Sequence, residues 1–118
     1  MQYIKGMQFY QNDKKTAITL GKFDGLHRGH ETLIERVIAH QKNDGVDSVV
    51  FAFDMAPLYE KLKKKKESLI TNEERAGRLL GRVDYLVECP FVEAVSKIEA
   101  ETFIKEILVK QFHAKYIV

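Results

Sequence analysis

Apolar and polar positions change period several times along this chain, and each change marks an element. Met1 to Tyr10 alternates weakly and predicts an edge strand, closed by the polar turn Gln11-Asn12-Asp13-Lys14-Lys15. Thr16 to Leu20 is the first clear strand. From Glu31 to Gln41 the apolar residues Leu33, Ile34, Val37 and Ile38 recur at helical spacing, and Asn43-Asp44-Gly45 stops that helix. Val46 to Phe53 is rich in β-branched and aromatic residues, and from Val49 on it predicts a strand covered on both faces. Asp54-Met55-Ala56-Pro57 breaks it. Thr71-Asn72-Glu73-Glu74 fits a capping box opening a helix with Ala76, Leu79, Leu80 and Val83 on one face. Tyr85-Leu86-Val87 predicts a short strand ending near Cys89-Pro90. Ala100 to Phe112 predicts a last helix with Phe103, Ile104, Ile107 and Leu108 as its stripe, and Lys115 to Val118 begins another strand. The order β-α-β-α-β-α-β predicts an α/β fold, a parallel sheet with helices on both faces and ligands at the carboxyl ends of its strands.

Composition narrows the class without changing the fold. The chain has 118 residues, enough for one domain, and its 45% apolar and 31% charged residues exclude a disordered tail. A net charge of +2 gives no basic footprint for nucleic acid. One cysteine, Cys89, excludes an intrachain disulfide framework and a multi-cysteine metal site, and suits a reducing compartment. The amino terminus lacks a signal-peptide core and no apolar run is long enough for a membrane span, so a cytoplasmic domain is expected. The run Lys63 to Lys66 reads as a solvated loop, or as an electrostatic lure for a phosphate-bearing ligand.

The chemistry concentrates in Gly21-Lys22-Phe23-Asp24-Gly25-Leu26-His27-Arg28-Gly29-His30, between the strand and the helix. His27 and His30 are three residues apart, so both imidazoles can reach one point at a helix start. Free backbone amides and the helix dipole favour an anion there, and Gly29 lets a phosphate or a sugar approach the backbone closely. These features predict a site for a phosphoryl group whose charge grows in the transition state. Two other readings are that the histidines ligate a metal, or that they only cap the helix. His40 and His113 lie in other segments, and the capping reading leaves Gly21, Asp24, Gly25 and Gly29 unexplained. The dinucleotide fingerprint Gly-x-Gly-x-x-Gly is absent.

His-x-Gly-His after a strand resembles the signature of the nucleotidyltransferase superfamily, which has a Rossmann-like fold. The longer Gly-x-Phe-Asp-Gly-x-His-x-Gly-His resembles its prokaryotic FAD synthetase branch. Val50 to Pro57 is similar to that branch's Val-x-Thr-Phe-Asp-Pro-His-Pro, Thr71 to Arg75 to a helix start, and Thr102 to Val118 to a last helix and strand. The resemblance implies that residues 1–118 are a single amino-terminal nucleotidyltransferase domain of a bifunctional riboflavin kinase/FAD synthetase. It implies an FMN adenylyltransferase, with ATP and FMN as substrates, Mg²⁺ on the phosphates, and a riboflavin kinase domain in the full-length chain. His27 and His30 would donate to phosphate oxygens, while Gly21, Phe23 and Gly29 shape the nucleotide pocket with Asp24 and Gly25. Asp24 would orient a histidine, position the metal or cap the turn. Asp54 and Pro57 would lie on the flavin side, and no metal ligand is assigned to the protein.

Two departures qualify that expectation. Met55-Ala56-Pro57 stands where the family often has Pro-His-Pro, which bears on flavin affinity. The Gly-x-Asp-Phe-x-Phe-Gly-like loop and Ser-Ser-Thr-x-x-Arg-like motif of the family are not in these 118 residues, so a truncated domain, inactive alone, is expected. Another nucleotidyltransferase acting on a phosphorylated small molecule, and a nucleotide- or flavin-binding paralogue with impaired catalysis, are the alternatives.

Overall fold

The computed structural model describes residues 1–22, 28–57, 72–79 and 81–118, with side chains for all of these but 28, 29 and 72–75. Among them, β1 (Gln2–Lys5), β2 (Thr16–Gly21), β3 (Asp47–Asp54), β4 (Tyr85–Pro90) and β5 (Ala114–Ile117) form one sheet. Its order is β1-β4-β3-β2-β5, and every neighbouring pair is parallel. Helix α1 (Arg28–Asp44) follows β2, and α2 (Asn72–Leu79) precedes β4. After β4 come α3 (Glu93–Ser96) and α4 (Ala100–Thr102), the latter running on in π geometry through Phe103–Gln111.

The sheet is Rossmann-like, and its two faces follow from the alternation in β3. Val50 and Ala52 pack with Ile34 of α1, Ala76 and Leu79 of α2, and Leu86 of β4. Val49 and Phe51 face the other way, onto Phe103, Leu108 and Phe112. Val49 through Ala52 are fully buried, as a strand covered on both faces requires. A short polar knot secures the amino end of β3. The Ser48 and Asp84 backbone N–H groups donate to Asp84 Oδ2 (2.9 Å) and Ser48 Oγ (2.8 Å), and Ser48 Oγ donates to Gln41 Oε1 at 2.7 Å. The knot ties α1, β3 and β4 together while satisfying a hydroxyl that no water reaches.

Several boundaries differ from the sequence reading. The amino-terminal strand covers only Gln2–Lys5, because Gly6 (φ +106) turns the chain into a single 3-10 turn at Met7–Phe9. Helix α1 starts at Arg28, three residues before the expected Glu31, and ends at Asp44, ahead of Gly45, whose φ of +69 a side chain would resist. β4 runs on to Pro90. The last helix lies where its stripe predicts, but its winding is wider. The Phe112 N–H donates to the Ile107 carbonyl at 3.0 Å, five residues back. Phe103, Leu108 and Phe112, spaced by five and four, therefore face the sheet, and Ile104 turns outward to 44% exposure. Thr71, the expected cap, and Leu80 lie outside the described residues.

At the amino end of the sheet Tyr10 is buried, stacked on Phe112 with ring centroids 4.1 Å apart and edge-on to Tyr85 at 5.1 Å. Burial pushes its phenol up to about 12, against the opposing hydrogen bond from Asn12. Below pH 10 the phenol is neutral in both folded and unfolded chains, so it leaves stability independent of pH. Above pH 10 only the unfolded chain releases the proton. Stability is therefore expected to fall by about 2 kcal/mol between pH 10 and 12. Tyr10→Phe, compared with the parent by urea unfolding across that range, should flatten the decline.

Candidate active site

The strand order decides where a ligand can bind. From β2 the chain steps through α1 to β3 and then to β4, always in one direction. It then returns past both to place β5 on the far side of β2. The reversal opens a crevice at the carboxyl ends of β2 and β5, the switch point at which doubly wound sheets hold ligands. Gly21 ends β2 there, paired with Ala52 of β3. β5 closes the other side: the Val118 N–H donates to the Ile18 carbonyl at 2.9 Å, and Thr19 Oγ1 donates to the Val118 carbonyl at 3.3 Å.

His30 lies in the first turn of α1, half-buried, and Gly29 is already in its helical backbone. The helix thus begins inside the motif, and its first turn runs from Arg28 to Glu31. Phe23, Asp24, Gly25 and His27 lie outside the described residues. The structure brings Gly21, Gly29 and His30 to the strand-to-helix junction, and Asp54 and Pro57 to the neighbouring end of β3. Asp54 Oδ1 accepts the Ala56 N–H at 3.1 Å, while the Asp54 carbonyl accepts the Phe91 N–H at 2.8 Å. The carboxylate thus caps the helical start at Ala56–Pro57, where proline's missing N–H costs nothing.

Glu31, one residue after His30, accepts both arms of the Arg82 guanidinium, at 3.1 Å and 2.7 Å. That hydrogen-bonded pairing holds the Glu31 carboxyl below its ordinary range and raises the guanidinium. Among the described residues, no group of three histidine, cysteine, aspartate or glutamate side chains gathers to hold a metal ion.

A cavity of about 380 Å³ opens on the sheet face opposite α1, at the same carboxyl edge. Leu20, Phe53, Phe91, Ile98, Phe103 and Ile117 line it, and Ser96 is its one polar residue among the described residues. Phe53 meets Phe91 nearly edge-on at 5.5 Å and Phe103 at 6.0 Å. The sequence reading placed none of these residues in a site. Its available signal was the alternation of Phe51 and Phe53, which sends both rings to one face.

A doubly wound α/β domain with a strand-to-helix junction at its switch point has the arrangement in which such folds hold phosphate-bearing ligands. The profile of the FAD synthetase family matches residues 9–118, and the chain belongs to that family. It is 27% identical over 121 residues to a bifunctional riboflavin kinase/FMN adenylyltransferase of Buchnera aphidicola subsp. Schizaphis graminum, covering 100% of this chain and 39% of that protein. The protein of the same description in Escherichia coli strain K12 is 28% identical over 103 residues, 86% of this chain and 33% of its own length. The chain thus spans less than half of these relatives. Among solved structures it is similar to one described as a macrolide-efflux protein from Streptococcus pneumoniae. The TM-score there is 0.80 at 25% identity, covering 98% of this chain and 46% of that one. No helix among the described residues is long and apolar enough to cross a membrane.

Proposed function

We propose that the protein transfers an adenylyl group from ATP to FMN, giving FAD and pyrophosphate, as the amino-terminal part of a bifunctional riboflavin kinase/FMN adenylyltransferase. The observation that carries this reading is the family match over residues 9–118, with His30 and Gly29 at the helix start beside Gly21. An oxygen of the FMN phosphate forms a bond to the α-phosphorus of ATP. The bond from that phosphorus to the bridging oxygen of the β-phosphate breaks, and pyrophosphate leaves with the electron pair. Mg²⁺ enters with the triphosphate and offsets its charge. The chain's residues then position and stabilise more than they bond covalently. His30, with His27, donates to phosphate oxygens as charge accumulates. Gly21, Phe23, Gly25 and Gly29 shape the nucleotide pocket, with Asp24 at the turn. Asp54 and Pro57 border the flavin side, and the apolar cavity suits a flat aromatic ring system. The reading includes a cytoplasmic location, which the lone cysteine, suited to a reducing compartment, supports.

The direct test is the purified full-length protein with Mg·ATP and FMN, followed by separation of FAD. Pyrophosphate release with CTP or with another phosphorylated acceptor, and none with FMN, would replace this reading with a different nucleotidyltransferase. ATP or FMN binding without any turnover would replace it with a binding paralogue, the outcome that Met55-Ala56-Pro57 makes worth testing. The cavity adds a specific expectation. Phe91→Ala should raise the KM for FMN roughly tenfold through lost ring contact, leaving that for ATP within about twofold. An unchanged KM for FMN would remove the cavity from the flavin site.

A further inference from the structure

Glu31 is an awkward residue to find at this position. A carboxylate in the first turn suits the helix dipole of an empty site, yet it sits within one turn of the amides offered to a phosphate. Arg82 answers it. The Leu79 carbonyl accepts the Arg82 N–H at 2.9 Å, closing a turn that needs Gly81 at φ +78, and the turn directs the guanidinium back across the end of α1. Both guanidinium arms then hold both carboxylate oxygens, at 3.1 Å and 2.7 Å. Arg78 adds a further positive charge near Glu31, and Glu35 a negative one near Arg82. The side chains remain 34% and 39% exposed for Arg82 and Glu31, so the pair contributes little to stability. Its position matters more than its strength.

We propose that Arg82 is a positioning residue that masks the charge of Glu31, so that the amino end of α1 still attracts the phosphates of the nucleotide. The idea rests on the reading of that helix end as the phosphate site and goes beyond it. Neither residue touches the ligand, and the effect is one of charge.

The experiment uses the full-length protein and measures Mg·ATP and inorganic pyrophosphate binding by calorimetry, at about 50 mM and about 500 mM salt. Arg82→Ala is expected to weaken both ligands roughly three- to tenfold at the lower salt, with the gap closing at the higher salt. Adding Glu31→Gln to Arg82→Ala should restore binding to within about twofold of the parent, because no charge then needs masking. Arg82→Lys keeps the charge but loses the fork, and should bind nearly as the parent does. A double variant as weak as Arg82→Ala overturns the proposal, since a mere strut or a direct ligand contact would give that result. So does loss of binding in Arg82→Lys, and so does unchanged binding in Arg82→Ala. A parent protein that binds no ATP overturns the nucleotide reading itself. A parent that binds ATP but is indifferent to Arg82 overturns only the masking.

Discussion

Replacing His30 by alanine in the full-length protein is expected to slow FAD formation by about 10²–10³-fold, the usual consequence of losing one donor to a developing oxyanion. The loss should appear in kcat. An imidazole that strengthens its hydrogen bond only as charge builds on the phosphate contributes little to ground-state binding, so KM for ATP should move far less. His30 is half-buried in the first turn of a seventeen-residue helix, and a melting temperature near the parent's would separate a catalytic loss from a folding defect. His30→Asn, which keeps a donor, should recover part of the rate. Unchanged turnover in His30→Ala would remove the histidine from the mechanism. A loss confined to KM would reassign it to substrate binding.

Phe51→Ala should cost about 3–5 kcal/mol of stability and lower Tm by an amount on the order of 10–20 °C, read by thermal unfolding. Phe51 is fully buried in the middle of β3, and its ring meets Phe53, Phe103 and Phe112 at centroid distances of 5.2, 5.7 and 5.6 Å. Truncation removes the shared partner of three rings and leaves a cavity that two strands and a helix cannot close. Phe53 and Phe103 also line the apolar cavity, so whatever binds there should weaken together with the core. Phe51→Leu, which keeps most of the volume, should cost about a third as much. A drop of under about 1 kcal/mol in Phe51→Ala would mean that this face is not packed as described.

Much of this architecture was legible in the chain itself. The β-branched run from Val49 has one structural solution, a central strand buried on both faces. The stripe Ile34, Val37 and Ile38 fixes which side of α1 meets it. Gly45 stopped α1 in the sequence and stops it in space. Less legible were features that depend on distant partners. Ile104 was expected to face inward at a period of 3.6, and the wider winding turns it out, a change set by packing against Phe51 and Tyr10 rather than by local preference. The Arg82–Glu31 fork joins positions 51 residues apart and leaves no periodic trace. The aromatic cavity escaped for a similar reason. Leu20, Phe53 and Ile117 read as ordinary strand residues, Phe91 fell between predicted elements, and only the strand order gathers them at one edge. For the site, the glycine and histidine spacing pointed to the strand-to-helix junction, where the described Gly21, Gly29 and His30 lie, while the apolar cavity needed the fold.

The sheet order also sets a timetable for the newborn chain. Among the described residues β1 pairs with β4 alone, and Gln2 pairs with Tyr85. At synthesis rates of roughly 5–20 residues per second, β1 therefore waits on the order of ten seconds on the ribosome before its ladder can form. β2 and β3, joined through α1, can pair well before that. Only four residues wait, of which Tyr3 and Ile4 are the bulky apolar ones, and a strand this short gives a passing nascent chain little edge to capture.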